Sequence, residues 1–217
     1  MSKLSKLSTK DLFAIALKTS LDDLNSHKSW NALNQLQKRS TRKVYKRARK
    51  LCHSKNRNER EVGATILAQF GRPATSPFHK KRLRLLLKMI NAEDDPTMLH
   101  SLAISLGHFH NKRVNPAMLK LKNHSDASVR YAVASGQYTY DDKNADAIEA
   151  LIELSADSSD KVRDWATFRL HLLEVDTEAI RAALFARLSD SVEEIRDEAL
   201  SGLAQRRYRV LEPLPLC

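Results

Sequence analysis

The chain has 217 residues, 42% of them hydrophobic and 29% charged, with a formal net charge of +11 and only five Gly, six Pro and two Cys. That composition supplies a buried core, leaves little for low-complexity linkers, and excludes a disulfide framework or a cysteine-based metal site. No apolar run approaches the roughly 20 residues needed to cross a bilayer, so cytoplasmic residence is the expectation.

In chain order, Leu12-Phe13-Ala14-Ile15-Ala16-Leu17 is short for the core of an export signal and is followed by Lys18. The phrase Trp30-Asn31-Ala32-Leu33 opens a pattern that returns at Val62-Gly63-Ala64-Thr65-Ile66 and Leu99-His100-Ser101-Leu102-Ala103. It sharpens at Val129-Arg130-Tyr131-Ala132, Val162-Arg163-Asp164-Trp165-Ala166 and Ile195-Arg196-Asp197-Glu198-Ala199. Val129, Val162 and Ile195 are 33 residues apart, and the earlier intervals are 32, 37 and 30. A period of this length marks stacked repeats, each too small to bury its own apolar face.

Each repeat reads as helix, turn, helix. Ala147, Ile148, Leu151 and Leu154 follow helical spacing, Asp157-Ser158-Ser159-Asp160 interrupts it, and Val162, Trp165, Ala166, Leu170 and Leu173 resume it. Ser159 is placed to cap the second helix by accepting from an unpaired backbone N–H, as are Asp126 and Ser191 in the neighbouring copies. Gly71 to Pro77 reads as a loop between repeats, and Arg209 to Cys217, with Pro213 and Pro215, as an irregular cap or sticky end. The expected fold is an all-α, right-handed α-solenoid of about six helical pairs, forming one domain over residues 1–217.

The phrase from Asp157 to Ala166, D-x-x-x-x-V-R-x-x-A, resembles the HEAT-like repeats of phycobilisome lyases, over roughly residues 27–207. More narrowly, Asp11-Leu12-Phe13, the segment Val62 to Gly71 and the segment Val162 to Phe168 look like parts of small bacterial HEAT-repeat proteins, some associated with Rhs-type toxins as suspected immunity proteins. The resemblance implies a binding scaffold more than any chemistry, because such repeats serve many functions. Arg130, Arg163 and Arg196 share one repeat position, and are read as ties from each repeat to an aspartate or to carbonyls in the adjoining turn.

Charge divides the chain. Residues 1–93 hold 22 Lys and Arg against 6 Asp and Glu, a net of +16; residues 94–217 hold 15 against 20, a net of −5. Arg42, Lys43, Lys46, Arg47, Arg49 and Lys50 line one predicted helix, and Lys80, Lys81, Arg84 and Lys88 another. These form a basic surface suited to a polyanion or an acidic protein, with Tyr45 the one aromatic among them. A second candidate surface lies on the second helices, the concave side of a HEAT-type solenoid, where Asp164, Phe168, His171, Glu194 and Asp197 face away from the core. Trp165, at the margin of the core stripe, reads as packing between repeats.

Catalytic signatures are missing: there is no phosphate loop, no G-x-S-x-G elbow and no H-E-x-x-H helix. His100, His108 and His110 do not make a metal site, since on a helix His108 and His110 would diverge and no carboxylate joins them. A DNA base-repair glycosylase of HEAT-like fold would draw on Asp164 and Trp165, but the positive charge lies in the other half of the chain. The expectation is a non-catalytic protein-binding scaffold, immunity-like in the narrower resemblance, without cofactor or metal; the alternative is a nucleic-acid-binding module using the basic helices.

Overall fold

A computed structural model describes residues 3–18, 27–71, 77–136 and 144–211, with side chains to residue 207. Residues 72–76 of the expected loop and 212–217 of the expected tail lie outside that range. The described residues form helices and no strand, so the chain is all-α. The elements are α1 (Thr9–Ala16), α2 (His27–Arg39), α3 (Arg42–Leu51), α4 (Arg57–Ala68), α5 (His79–Ile90), α6 (Pro96–Gly107), α7 (Asn115–Leu121), α8 (Ala127–Ser135), α9 (Ala145–Leu154), α10 (Asp160–Leu172), α11 (Glu178–Arg187) and α12 (Glu193–Leu211). Short 3-10 turns occupy Lys3–Lys6 and Lys112–Val114.

These helices group into two compact units, residues 1–110 and 111–217. In the first, α2, α4 and α6 pack in succession with α1, α3 and α5 against them. In the second, α8, α10 and α12 form the corresponding row, backed by α7, α9 and α11. Each pair buries its apolar stripe only against its neighbours, the packing of a repeat array. Val129, Val162 and Ile195 are each fully buried and hold the same interior position, as their spacing predicts.

Two of the three earlier copies, those in α4 and α6, sit in a different register from the one their apolar phrases suggest. Arg130 and Arg163 stand four residues after their N-caps, Asp126 and Ser159; in α4 the residue four after the N-cap Asn56 is Arg60. The equivalent of Val129 is therefore Glu59, and Val62 lies one turn further along. In α6, which begins after the N-cap Asp95, Met98 rather than Leu99 takes the place of Val129.

The repeat arginines build a ladder. Arg130 donates to Asp157 through Nε and an Nη at 2.7 and 2.8 Å, and its other Nη donates to the carbonyls of His124 and Ser125. Arg163 repeats this one unit on, with Asp190 at 2.8 and 2.9 Å and the carbonyls of Asp157 and Ser158. Arg60 does the same toward Glu93 and the carbonyls of Ser54 and Lys55. Arg196 donates to the carbonyl of Asp190. Arg60, Arg130 and Arg163 thus each close their own inter-helix turn and grip the next one, while Arg196 closes its own.

Three further arginines, not distinguished by the repeat phrase, cap helix C-termini. Arg82 is buried and donates to the carbonyls of Leu67 and Ala68, Arg169 to that of Ser135, and Arg206 to those of Leu170, Leu173 and Val175. Burial pushes Arg82 down to about 10, which leaves it charged at neutral pH and tied to the negative end of α4. Ser159 occupies an N-cap position but makes no side-chain cap bond; its own N–H donates instead to Asp157 at 2.8 Å. Asp126 does cap, accepting from Ser128 N–H. Glycine is required at Gly63, where a Cβ would lie 2.7 Å from the Ala48 carbonyl oxygen and 2.9 Å from Cys52 N, so α3 and α4 approach backbone to backbone.

Candidate functional site

The second helices carry their unburied side chains on one face, because 3.6 residues per turn bring positions 160, 164, 168 and 171 of α10 into one stripe. Asp164, Phe168 and His171 are half-buried along it. Trp165 stands at its margin and meets Phe168 edge to face at 5.7 Å between centroids, while Phe168 meets His171 at 6.5 Å. Across the helix boundary, Tyr131 of α8 meets Trp165 at 6.1 Å with the rings nearly perpendicular. Trp165 therefore both joins two repeats and contributes to a line of rings. Behind it, the buried Arg169 sets its guanidinium 5.6 Å from the indole centroid.

Carboxylates flank these rings. His171 Nδ1 lies 2.7 Å from Glu198 of α12. Burial first, then the charges of Glu198, Glu194 and Asp160, raise the Asp164 carboxyl above its ordinary value. Asp164 and Glu194 thus share one acidic surface with Glu198, while Asp197 is exposed on α12. Glu198 and Tyr131 complete the arrangement. The signal for Tyr131 was its position: it follows Arg130 as Asp164 follows Arg163 and Asp197 follows Arg196.

In the first unit the residue following the ladder arginine Arg60 is Glu61 on the second helix α4. Glu61 is 3% exposed, its carboxylate accepts from Ser101 Oγ, and it lines a concavity of about 210 Å³ together with Trp30, Gln69, His100 and His108. Trp30 is 45% exposed, unusual for so large an apolar ring. His108 Nε2 lies 3.0 Å from Gln69 Nε2. The helical geometry expected for His108 and His110 does not occur: α6 ends at Gly107, His108 is its C-cap, and His110 has a left-handed φ of 45°. Among the described residues no group of three or more His, Cys, Asp or Glu is placed to hold a metal ion.

The basic residues occupy first helices. Arg42, Lys43, Lys46, Arg47 and Lys50 are all exposed on α3, and Lys80, Lys81 and Arg84 on α5. Arg47 lies 4.4 Å over the Phe13 ring. Tyr45 is only 7% exposed and stacks on Phe78 at 4.0 Å between centroids, so the aromatic of this cluster faces the core.

Paired helices stacked through an arginine ladder define a helical-repeat protein of the kind built for extended binding surfaces. A model of HEAT repeats matches residues 83–171. Protein YibA of Escherichia coli strain K12 is 30% identical over 220 residues, covering 96% of this chain and 74% of that protein. The chain belongs to the same HEAT-repeat family. The X-ray structure of E. coli YibA superposes with a TM-score of 0.76 at 27% identity, over 96% of this chain and 75% of that one. A designed armadillo repeat protein, solved in complex with the peptide (KR)4, shares the fold with a TM-score of 0.57 at 13% identity, over 94% and 99% of the two chains. No helix among the described residues is long and apolar enough to cross a membrane.

Proposed function

We propose that this protein is a non-catalytic scaffold that binds another protein through its second-helix face. The observation that carries the reading is the line of half-buried rings from Tyr131 through Trp165 and Phe168 to His171. Rings at a surface supply large contact area at small cost in conformational entropy, and such residues dominate protein interfaces. The exposed Trp30 beside a concavity gives the first unit a comparable anchor. Repeat arrays are used chiefly for binding, and the designed armadillo neighbour holds a peptide.

The basic surface on α3 and α5 suits a polyanion by charge, but Tyr45, the aromatic among those cations, is turned inward and does not offer its face to a base. An immunity role toward a toxin would be one instance of protein binding, and it rests on the sequence resemblance. Affinity capture from the native cell, with and without nuclease, tests the scaffold reading. A protein that survives nuclease and is lost in a Trp30→Ala/Phe168→Ala variant is the expected result. Capture of nucleic acid alone, or of a protein indifferent to both substitutions, would overturn it.

A further inference from the structure

We propose that the second-helix face of residues 111–217 takes a lysine- and arginine-rich extended segment of its partner protein. The proposal deepens the scaffold reading and rests on it. Asp160 and Asp164 of α10 and Glu194 and Glu198 of α12 converge on the edge of the aromatic line. The cations nearest this surface are already committed or lie at its rim. Arg163 is bound to Asp190 and Arg130 to Asp157, Arg169 is buried behind Trp165, His171 sits on Glu198, and Lys161 is exposed at the margin.

Burial, and then the charges of Glu198, Glu194 and Asp160, hold Asp164 above its usual range, and a cation placed among these carboxylates would relieve the repulsive part of that cost. The rings add a second, independent attraction, since a guanidinium or ammonium is drawn to an aromatic face. The protein demonstrates this chemistry itself with Arg169 against Trp165. Geometry favours an extended ligand: stacked helices lie about 8–10 Å apart, while alternate side chains of an extended chain lie roughly 7 Å apart. Basic side chains two or three residues apart would then meet successive helices.

The test uses the full chain and a fluorescein-labelled octapeptide of alternating Lys and Arg, with an alternating Glu and Ser octapeptide as control. The cationic peptide should bind, more weakly as salt rises, and the acidic one should not. The triple variant Asp164→Asn/Glu194→Gln/Glu198→Gln should lose about tenfold or more in affinity. A charge-matched control, Glu149→Gln/Glu178→Gln/Asp146→Asn on the first helices α9 and α11, should keep it; circular dichroism confirms that both fold. Equal loss in the two variants would reduce the effect to net charge, and no binding of the cationic peptide would sink the proposal. So would a self-associated state that dissociates in the triple variant and ignores the peptide, because the face would then belong to a second copy. If the peptide fails while capture through Trp30 and Phe168 persists, the charge assignment alone falls and the scaffold reading stands.

Discussion

Replacing Arg163 with Ala tests the ladder where its geometry is most complete. Arg163 makes two bonds to Asp190, at 2.8 and 2.9 Å, and donates to the carbonyls of Asp157 and Ser158. Its side chain is 14% exposed and that of Asp190 only 3%. Truncation would leave the Asp190 carboxylate nearly buried, with Arg187 at 3.4 Å and the Val192 N–H at 3.2 Å still bonded to it. Breaking a buried pair typically costs 3–5 kcal/mol, and the residual partners reduce that to about 2–4 kcal/mol. At about 2–4 °C per kcal/mol for a chain of this size, the melting temperature should fall by roughly 4–16 °C. Urea denaturation and thermal melting followed by circular dichroism measure both. A double-mutant cycle with Asp190→Asn should return a coupling of at least about 1 kcal/mol. Arg181→Ala, which removes two bonds to Asp176 from a half-exposed guanidinium, should be nearly silent and serves as the control. A loss below about 0.5 kcal/mol for Arg163→Ala, or additive single effects, would refute the ladder as a tie between repeats.

Gly63→Ala forces a methyl against the Ala48 carbonyl at 2.7 Å and should cost about 2–4 kcal/mol in the same denaturation assay, with α3 and α4 pushed apart. The carboxylates predict opposite pH behaviours. Asp190 is lowered from 3.8, chiefly by its bonds from Arg163; Asp157 is also lowered, burial opposing and the bonds from Arg130 and Ser159 prevailing. Their contribution is present above 3.8 and is lost as pH falls through the depressed folded values, so acid melting should steepen there and should do so less in Arg163→Ala. Asp164 is raised above 3.8, so its ionisation destabilises the folded state as pH rises. Asp164→Asn should therefore be more stable than the native chain at neutral pH, with the gain vanishing below 3.8 in matched melts.

The repeat and its arginines were legible because three copies spell the same phrase at a fixed interval, and Val129, Val162 and Ile195 are interior as that spacing requires. The α4 copy departs from that phrase. Glu59 stands there in place of valine, so the apolar phrase drew the eye to Val62 while the ladder residue, Arg60, lay two positions earlier. The sequence signal for capping holds at Asp126 but not at Ser159: the Lys161 N–H that a capping serine could serve donates to Asp160, and the Ser159 N–H itself donates to Asp157, which Arg130 also grips. The C-terminal caps made by Arg82, Arg169 and Arg206 join residues 14 to 36 apart and leave no local pattern. Helical phase groups Asp164, Phe168 and His171, but the meeting of Tyr131 with Trp165 across α8 and α10 required the packing.

Site-specific photo-crosslinking in the native cell tests most directly whether the second-helix face is where a protein partner sits. A crosslinker replaces Phe168 on that face in one variant and Phe185, 69% exposed on the first helix α11, in the other. The scaffold account predicts a discrete protein adduct from position 168 and none from position 185. Adducts from 185 alone, or nucleic acid in place of protein at 168, would contradict it.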